Sequence, residues 1–136
     1  MKKIIQNIVS LLAGLNFVNA GLNKIFNYIP VPDDLPEQLV QMDTAMAEIG
    51  WLLPLAAIAE IIGGILFIVP RFRALGAIIL FPVMLGIMII HLTVAPSGLA
   101  IATAIFLILL WGMYENRDKY LYLINVDYQK SGISNN

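Results

Sequence analysis

The residue that could do chemistry most readily is Glu60, a carboxylic acid in the middle of the apolar run 51–69. Glu60 lies nine positions from either end of that run, so a helix across a bilayer would carry it to the midplane. An ionisable group at that depth is costly unless it faces protein or water, and such groups often mark ligand sites or proton paths. We therefore expect Glu60 to point inward, either protonated or paired with a cation.

Other polar side chains fall at similar depth in the neighbouring apolar runs. Three asparagines in the run 4–26 are spaced three and four positions apart, which places them on one helical face. A lysine near the end of the run 4–26 continues this face. A histidine lies three residues from the end of the run 74–94, and a threonine lies early in the run 99–114. If successive helices alternate in direction, these groups share one layer. Together with Glu60, the candidates are Lys24, Asn16, Asn19, Asn23, His91 and Thr103.

Two interpretations of this polar layer stay open. The groups could fasten the helices through interhelical hydrogen bonds, which are common in membrane bundles. Alternatively, they could line a pocket that opens outward, with Glu60 at its floor. Lys24 and His91 are the candidate cations for Glu60, but His91 lies about 9 Å away in depth, so direct contact requires tilt, water or a ligand. One histidine and one glutamate are too few ligands to indicate a metal or haem, so we predict no metal site and name no catalytic residue.

The elements that must position these groups are membrane-spanning helices. Hydrophobic residues make up 60% of the 136 positions and charged residues 12%, against about 45–50% and 25% in soluble domains. A soluble protein of this length could not bury so much apolar surface, so the lipid bilayer is the expected partner. No basic patch interleaved with aromatic residues indicates nucleic-acid binding. The chain has no cysteine, so a redox role would need a bound cofactor or a partner's thiols.

Four apolar runs predict an all-α integral membrane protein, an antiparallel four-helix bundle in a single transmembrane domain over residues 1–136. Each run approaches the about 20 residues that cross a bilayer, and the predicted spans are 4–26, 51–69, 74–94 and 99–114. The first is interpreted as an uncleaved helix, because Gln6, Asn7 and Ser10 interrupt the apolar core that a signal peptide needs. Small residues on every span would let the helices approach closely: Gly14, Gly21, Ala56, Gly63, Gly64, Gly76, Gly86, Ala100 and Ala104.

The segment 27–50 is acidic and rich in proline. From Leu35 onward, apolar residues recur at helical spacing, which predicts a short extracytoplasmic amphipathic helix between the first two spans. Asp34 and Glu37 are spaced as a capping box for its start. We expect this segment to be a lid over the mouth of the bundle. At the other end, residues 115–136 form a polar, tyrosine-containing tail.

The distribution of charge predicts the orientation in the membrane. All eight lysines and arginines except Lys24 lie on one predicted side, and five of the nine acids lie in the lid segment 27–50. Because basic residues stay on the cytoplasmic side, we expect both termini in the cytoplasm and the lid outside.

Several short motifs resemble those of the DoxX family. They are Gly14-Leu-Asn-Phe17 followed by Gly21-Leu-Asn-Lys24-Ile-Phe26, then Glu60-Ile-Ile-Gly63-Gly64, Arg73-Ala-Leu, and His91, spread over residues 11–112. The resemblance implies a four-helix protein of the bacterial cytoplasmic membrane. Some relatives are subunits of thiosulfate:quinone oxidoreductase, and others are tied to oxidative stress or to maturation of secreted proteins. It also implies that any functional motif residues correspond to Lys24, Glu60, Arg73 and His91.

Three functional hypotheses follow. The first is an accessory subunit of a membrane redox complex that binds a quinone or lipid in the outward polar pocket. The second is a non-enzymatic interaction subunit of a larger membrane assembly, with other subunits or copies of itself as partners. The third is a small transporter that carries a proton on Glu60, although the chain shows no inverted repeat for alternating access. We expect a subunit and not a free-standing enzyme, since no nucleophile–base–orienter set is present.

Overall fold

The structure is a computed structural model that describes residues 1–124, and all regular secondary structure in that range is helical. The helices are α1 (Lys2–Phe26), α2 (Glu37–Glu48), α3 (Leu52–Ile68), α4 (Arg73–Thr93), a 3-10 turn (Pro96–Gly98), α5 (Leu99–Glu115) and α6 (Arg117–Ile124). The all-helical prediction is confirmed. The four predicted spans coincide with α1, α3, α4 and α5 to within two residues at either end. The predictions for the tail beyond residue 124 lie outside the described residues.

Three helical segments are long and apolar enough to cross a membrane: Lys2–Phe26, Arg73–Thr93 and Pro96–Glu115. Helix α3 has 17 residues, or about 25 Å of length, which is slightly less than the about 30 Å of a bilayer's hydrocarbon core. Helix α3 alone is therefore too short to count as a membrane span. It is long enough only when it is counted together with α2, and the axes of the two helices differ by 95°. The chain therefore has three to four candidate membrane spans.

The outer surface of these helices is apolar. Leu12 is 63% exposed, Ile58 51% and Ile89 60%, and similar large apolar side chains cover the outside of each long helix. Soluble monomers rarely expose contiguous apolar surface on this scale. The outward-facing residues are therefore suited to lipid, and the chain is a multi-pass membrane protein.

The helices pack in sequence around a small core. Helix α1 packs along α3, α3 along α4, and α4 along α5, whereas α1 touches α5 much less. The largest fully buried side chains are Phe17, Phe67, Leu80, Met84, Leu109 and Glu60. Glycines allow the closest approach: a Cβ atom added to Gly14 would lie 2.7 Å from the Gly64 carbonyl oxygen, and one added to Gly64 would lie 2.7 Å from that of Gly14. The seam between α1 and α5 is the least packed part of the ring of helices.

Helix α2 begins later than the sequence pattern indicated. Its first residue is Glu37 and its N-cap is Pro36, with no side-chain hydrogen bond at the cap, so the predicted capping box with Asp34 is wrong. The cause is Pro36, because a proline disfavours helical geometry in the residue before it and so excludes Leu35 from the first turn. Within α2, Leu39, Met42 and Met46 are half-buried and the other residues are exposed.

Candidate functional site

The centre of the candidate site is an ion pair between Glu60 on α3 and Lys24 on α1. The Lys24 Nζ atom donates to both carboxylate oxygens, at 2.9 Å to Oε1 and 2.8 Å to Oε2. The Glu60 side chain is 1% exposed and the Lys24 side chain 30%. The carboxylate is thus buried and held by one ammonium, which reaches it from the more open end of the pair.

Close contact between α1 and α3 makes this pairing possible. A Cβ atom on Gly21 would lie 2.7 Å from the Ala57 carbonyl oxygen and 3.2 Å from the Glu60 Cβ atom. Only glycine allows the helices to come this close, and residues three apart share a helical face. Lys24 therefore leaves α1 on the side that faces Glu60.

A cavity of about 290 Å³ lies beside the ion pair. Its walls come from the second half of α1 and of α4, the middle of α3, the 3-10 turn and the early residues of α5. The lining residues are Asn16, Phe17, Ala20, Lys24, Glu60, Met84, Ile87, His91, Gly98, Ile101, Ala102 and Ile105. An apolar cavity with a few polar groups is the usual composition of a small-molecule site, and the volume of this one lies just below the about 300–1,000 Å³ found for such sites.

The exposed part of the cavity lining belongs to α1 and α5. Of its lining residues, only Asn16 and Ile101 are exposed, and they belong to these two helices. Ile101 is 71% exposed. These two helices also form the least packed seam of the structure, so we infer that a ligand would enter between them, where their outer faces are apolar.

His91 lies on the wall of the cavity contributed by α4. Its Nδ1 atom is 2.9 Å from the carbonyl oxygen of Ala95. The imidazole ring lies against Gly98 in the 3-10 turn, where an added Cβ atom would be 2.3 Å from Cε1 and 2.6 Å from Nδ1. No hydrogen bond joins His91 to Glu60 within the described residues, although both line the cavity.

Three of the four asparagines of α1 were candidates from the sequence, and they divide between two environments. Asn16 lines the cavity. The Tyr28 hydroxyl donates to the Asn19 carbonyl oxygen at 2.9 Å and also to its side-chain oxygen, and the Ile29 amide donates to the Asn23 side-chain oxygen at 2.8 Å. Asn19 and Asn23 thus hold the chain segment that follows α1.

Two further candidates lie away from the ion pair. Thr103 is half-buried on α5 and is not among the residues that line the cavity. Arg73 lies at the opposite end of the helices and is 3% exposed. Its Nε atom donates to the Phe67 carbonyl oxygen at 3.1 Å, and Nη2 donates to the Asn7 side-chain oxygen at 3.0 Å. Arg73 therefore joins the end of α3 to the start of α1.

Arg73→Lys is expected to lower the free energy of unfolding by about 1.5–3 kcal/mol, because a single ammonium cannot reproduce the two directed contacts of the guanidinium. Thermal or denaturant unfolding in detergent measures this change. The matched control is Arg71→Lys: Arg71 is exposed, with its guanidinium 5.5 Å from the Phe72 ring, and its replacement should change stability by less than about 0.5 kcal/mol. Equal effects of the two substitutions would contradict the structural role of Arg73.

Sequence reasoning did not single out Asn7 as a partner of Arg73 or Gly98 as the support of His91. The first could have been found in part from depth, because α1 and α4 begin at the same end of the structure and both residues lie near that end. The contact between Gly98 and His91 could not have been predicted from the sequence. Gly98 follows a proline and a serine in a turn, and its φ angle is not positive, so nothing about this glycine points to a contact with His91.

A comparison with protein-family models adds an independent observation. The model described as DoxX matches residues 8–96. That range includes Lys24, Glu60, Arg73 and His91, and it ends before the cavity residues of α5. No curated protein and no solved structure matches the chain.

Proposed function

The chain belongs to the DoxX family, and from that premise we propose that it is an accessory subunit of a redox complex in the bacterial cytoplasmic membrane. In this proposal α1, α3, α4 and α5 span the membrane as an antiparallel bundle, and α2 lies across its outer end as an amphipathic lid. The cavity beside Glu60 binds the polar head of a quinone-type amphiphile.

The observation that carries the proposal is a buried ion pair in a mainly apolar cavity whose exposed lining residues lie on two lipid-facing helices. A quinone head is a flat apolar ring with oxygen atoms at two ends, and its tail is soluble in the bilayer. Lys24 uses two of its three N–H donors on Glu60, so one remains for a ligand oxygen. An opening at Asn16 and Ile101 would let the tail extend into lipid while the head stays inside.

The absence of cysteine supports the proposed accessory role. With no cysteine in the sequence, this chain cannot exchange electrons through thiols. We therefore assign headgroup binding to this chain and electron transfer to a partner subunit.

Binding is tested with purified protein and a benzoquinone that carries a decyl tail, by calorimetry in detergent. Lys24→Met is expected to weaken binding by about tenfold or more, because a hydrogen bond from a charged donor contributes about 1.5–3 kcal/mol. Glu60→Gln should also weaken binding, since Lys24 would lose the anion that orients it. The control is Thr103→Val, which alters a nearby residue outside the cavity. Absence of binding to the wild type, or equal affinity for all variants, would refute the proposal.

The proposed orientation makes a separate prediction. Since the chain has no cysteine, Asp34→Cys and Lys3→Cys each introduce a unique thiol at opposite ends of α1. A membrane-impermeant maleimide should label Asp34→Cys in intact spheroplasts, and Lys3→Cys only after permeabilisation. The opposite pattern would show that the lid segment is cytoplasmic.

A second candidate function, a purely structural interaction subunit, is favoured by one observation. Both Glu60 oxygens are already satisfied by Lys24, so the pair could serve only to join α1 to α3. Native mass analysis of the protein extracted with its surrounding lipid tests the subunit role. A species that contains only this chain would contradict the accessory subunit of a redox complex, and a monomer would contradict both candidates. The binding experiment above separates ligand binding from a structural role.

A further inference from the structure

We propose that His91 makes the cavity selective for a headgroup that carries a hydroxyl donor, so that a hydroquinone binds more tightly than the corresponding quinone. This inference rests on the proposed function, because it assigns the preferred ligand of the same cavity. Three features of His91 support it: the partner of Nδ1, the support of the ring, and the state of Nε2.

The first feature is the hydrogen bond at Nδ1. The partner of Nδ1 is the carbonyl oxygen of Ala95, 2.9 Å away, and a carbonyl oxygen only accepts hydrogen bonds. Nδ1 must therefore carry the hydrogen and donate it. In a neutral imidazole the other nitrogen, Nε2, is then an acceptor.

The second feature is the support of the ring by Gly98. A Cβ atom at Gly98 would lie 2.3 Å from Cε1, 2.6 Å from Nδ1 and 3.1 Å from Nε2. The ring therefore rests directly on the backbone of the 3-10 turn. Together with the bond to Ala95, this contact holds the imidazole in one orientation on the cavity wall.

The third feature is the availability of Nε2. Within the described residues, Nε2 has no hydrogen-bond partner, and the ring that carries it lines the cavity. A hydroxyl of a hydroquinone head could donate to Nε2 while an oxygen of the same head accepts from Lys24. A quinone carbonyl oxygen can accept from Lys24 but has no hydrogen to donate, so it would cover Nε2 without satisfying it, which is unfavourable.

The test compares the affinities of two probes that share one tail, decylhydroquinone and its dimethyl ether, under anaerobic conditions. Neither probe has to change its oxidation state, so the comparison isolates the hydroxyl donor. Decylquinone is measured alongside. We expect the wild type to bind decylhydroquinone about fivefold more tightly than either other probe, the ratio that one ordinary hydrogen bond gives.

Three variants locate the origin of that preference. His91→Phe should bring the ratio of affinities to about one, because phenylalanine keeps the ring shape and removes the acceptor. His91→Gln should retain part of the preference through its side-chain oxygen. Gly98→Ala should reduce the preference by displacing the imidazole without removing it, while Gly86→Ala, whose added Cβ atom meets nothing within 4 Å, should leave the ratio unchanged. Circular dichroism establishes that each variant is folded.

The outcomes separate this inference from the function on which it rests. Equal affinity of the wild type for the three probes, or an unchanged ratio in His91→Phe, would overturn the role of His91 and leave quinone binding beside Glu60 intact. If the wild type bound none of the probes, both the inference and the proposed function would fail.

Discussion

Replacing Lys24 with methionine is expected to lower the free energy of unfolding by about 3 kcal/mol, because removing one partner of a buried ion pair leaves the other charge uncompensated. The side chain left behind is Glu60, which is 1% exposed and whose two oxygens both accept from Lys24. Lys24 is itself partly exposed, so the lower end of the range for buried pairs applies. Unfolding in detergent, followed by far-UV circular dichroism, measures the change.

The double variant Lys24→Met with Glu60→Leu provides the control. Replacing both members of a buried pair with apolar residues of similar size is often neutral for stability, so the second substitution should recover most of the loss. The same double variant should not bind the decyl quinone, because the ammonium donor and the carboxylate that orients it are both gone. Recovered stability with unchanged binding would refute the ligand site, and an unaffected Lys24→Met variant would show that the ion pair is unimportant for folding.

The second large effect is expected at Gly76 on α4. A Cβ atom there would lie 2.4 Å from the Phe67 nitrogen and 2.7 Å from the Gly63 carbonyl oxygen. Both are backbone atoms of α3, which cannot move aside as the tip of a side chain can, so α3 and α4 must separate. Gly76→Ala should therefore destabilise the protein by about 1–3 kcal/mol, measured as a lower Tm in detergent.

Gly86→Ala is the matched control for Gly76→Ala. Gly86 lies on the same helix, and an added Cβ atom there would meet nothing within 4 Å. The same substitution should leave stability unchanged or slightly raise it, because alanine favours the helical backbone more than glycine does. If both variants lost stability equally, close packing of α3 on α4 at Gly76 would not be the cause.

The polar groups at the two ends of the helices have different roles. At the end near Arg73, polar contacts close the structure: Arg73 holds Asn7, Lys2 pairs with Glu115 at 2.9 Å, and the Tyr120 hydroxyl donates to the Ala74 carbonyl oxygen at 2.7 Å. At the other end, polar groups line a cavity. Variants of the closed end should therefore affect stability, and variants of the cavity should affect binding as well.

Much of the fold could be predicted from the sequence because the bilayer imposes strict physical limits. Its thickness sets the length of each apolar run, so the ends of α1, α3, α4 and α5 agree with the predicted spans to within two residues. The cost of an ionisable group in lipid predicted that Glu60 would face inward, as it does. The start of α2 was predicted less well. The helical spacing of the apolar residues begins at Leu35, but Pro36 disfavours helical geometry in Leu35, and the helix begins at Glu37.

The partners of each polar group depended on the tertiary structure. The sequence left both Lys24 and His91 as candidates for Glu60, and the close approach of α1 at Gly21 selected Lys24. The sequence placed Asn19 and Asn23 on the same helical face as Asn16. In the structure, however, Asn19 accepts a hydrogen bond from Tyr28, and Asn23 accepts one from the backbone amide of Ile29. The sequence also grouped Gly76 with Gly86, of which only Gly76 meets another helix. Helical periodicity determines which residues share a face, but how far each helix rotates and which neighbour it meets depend on the packing of all the side chains together.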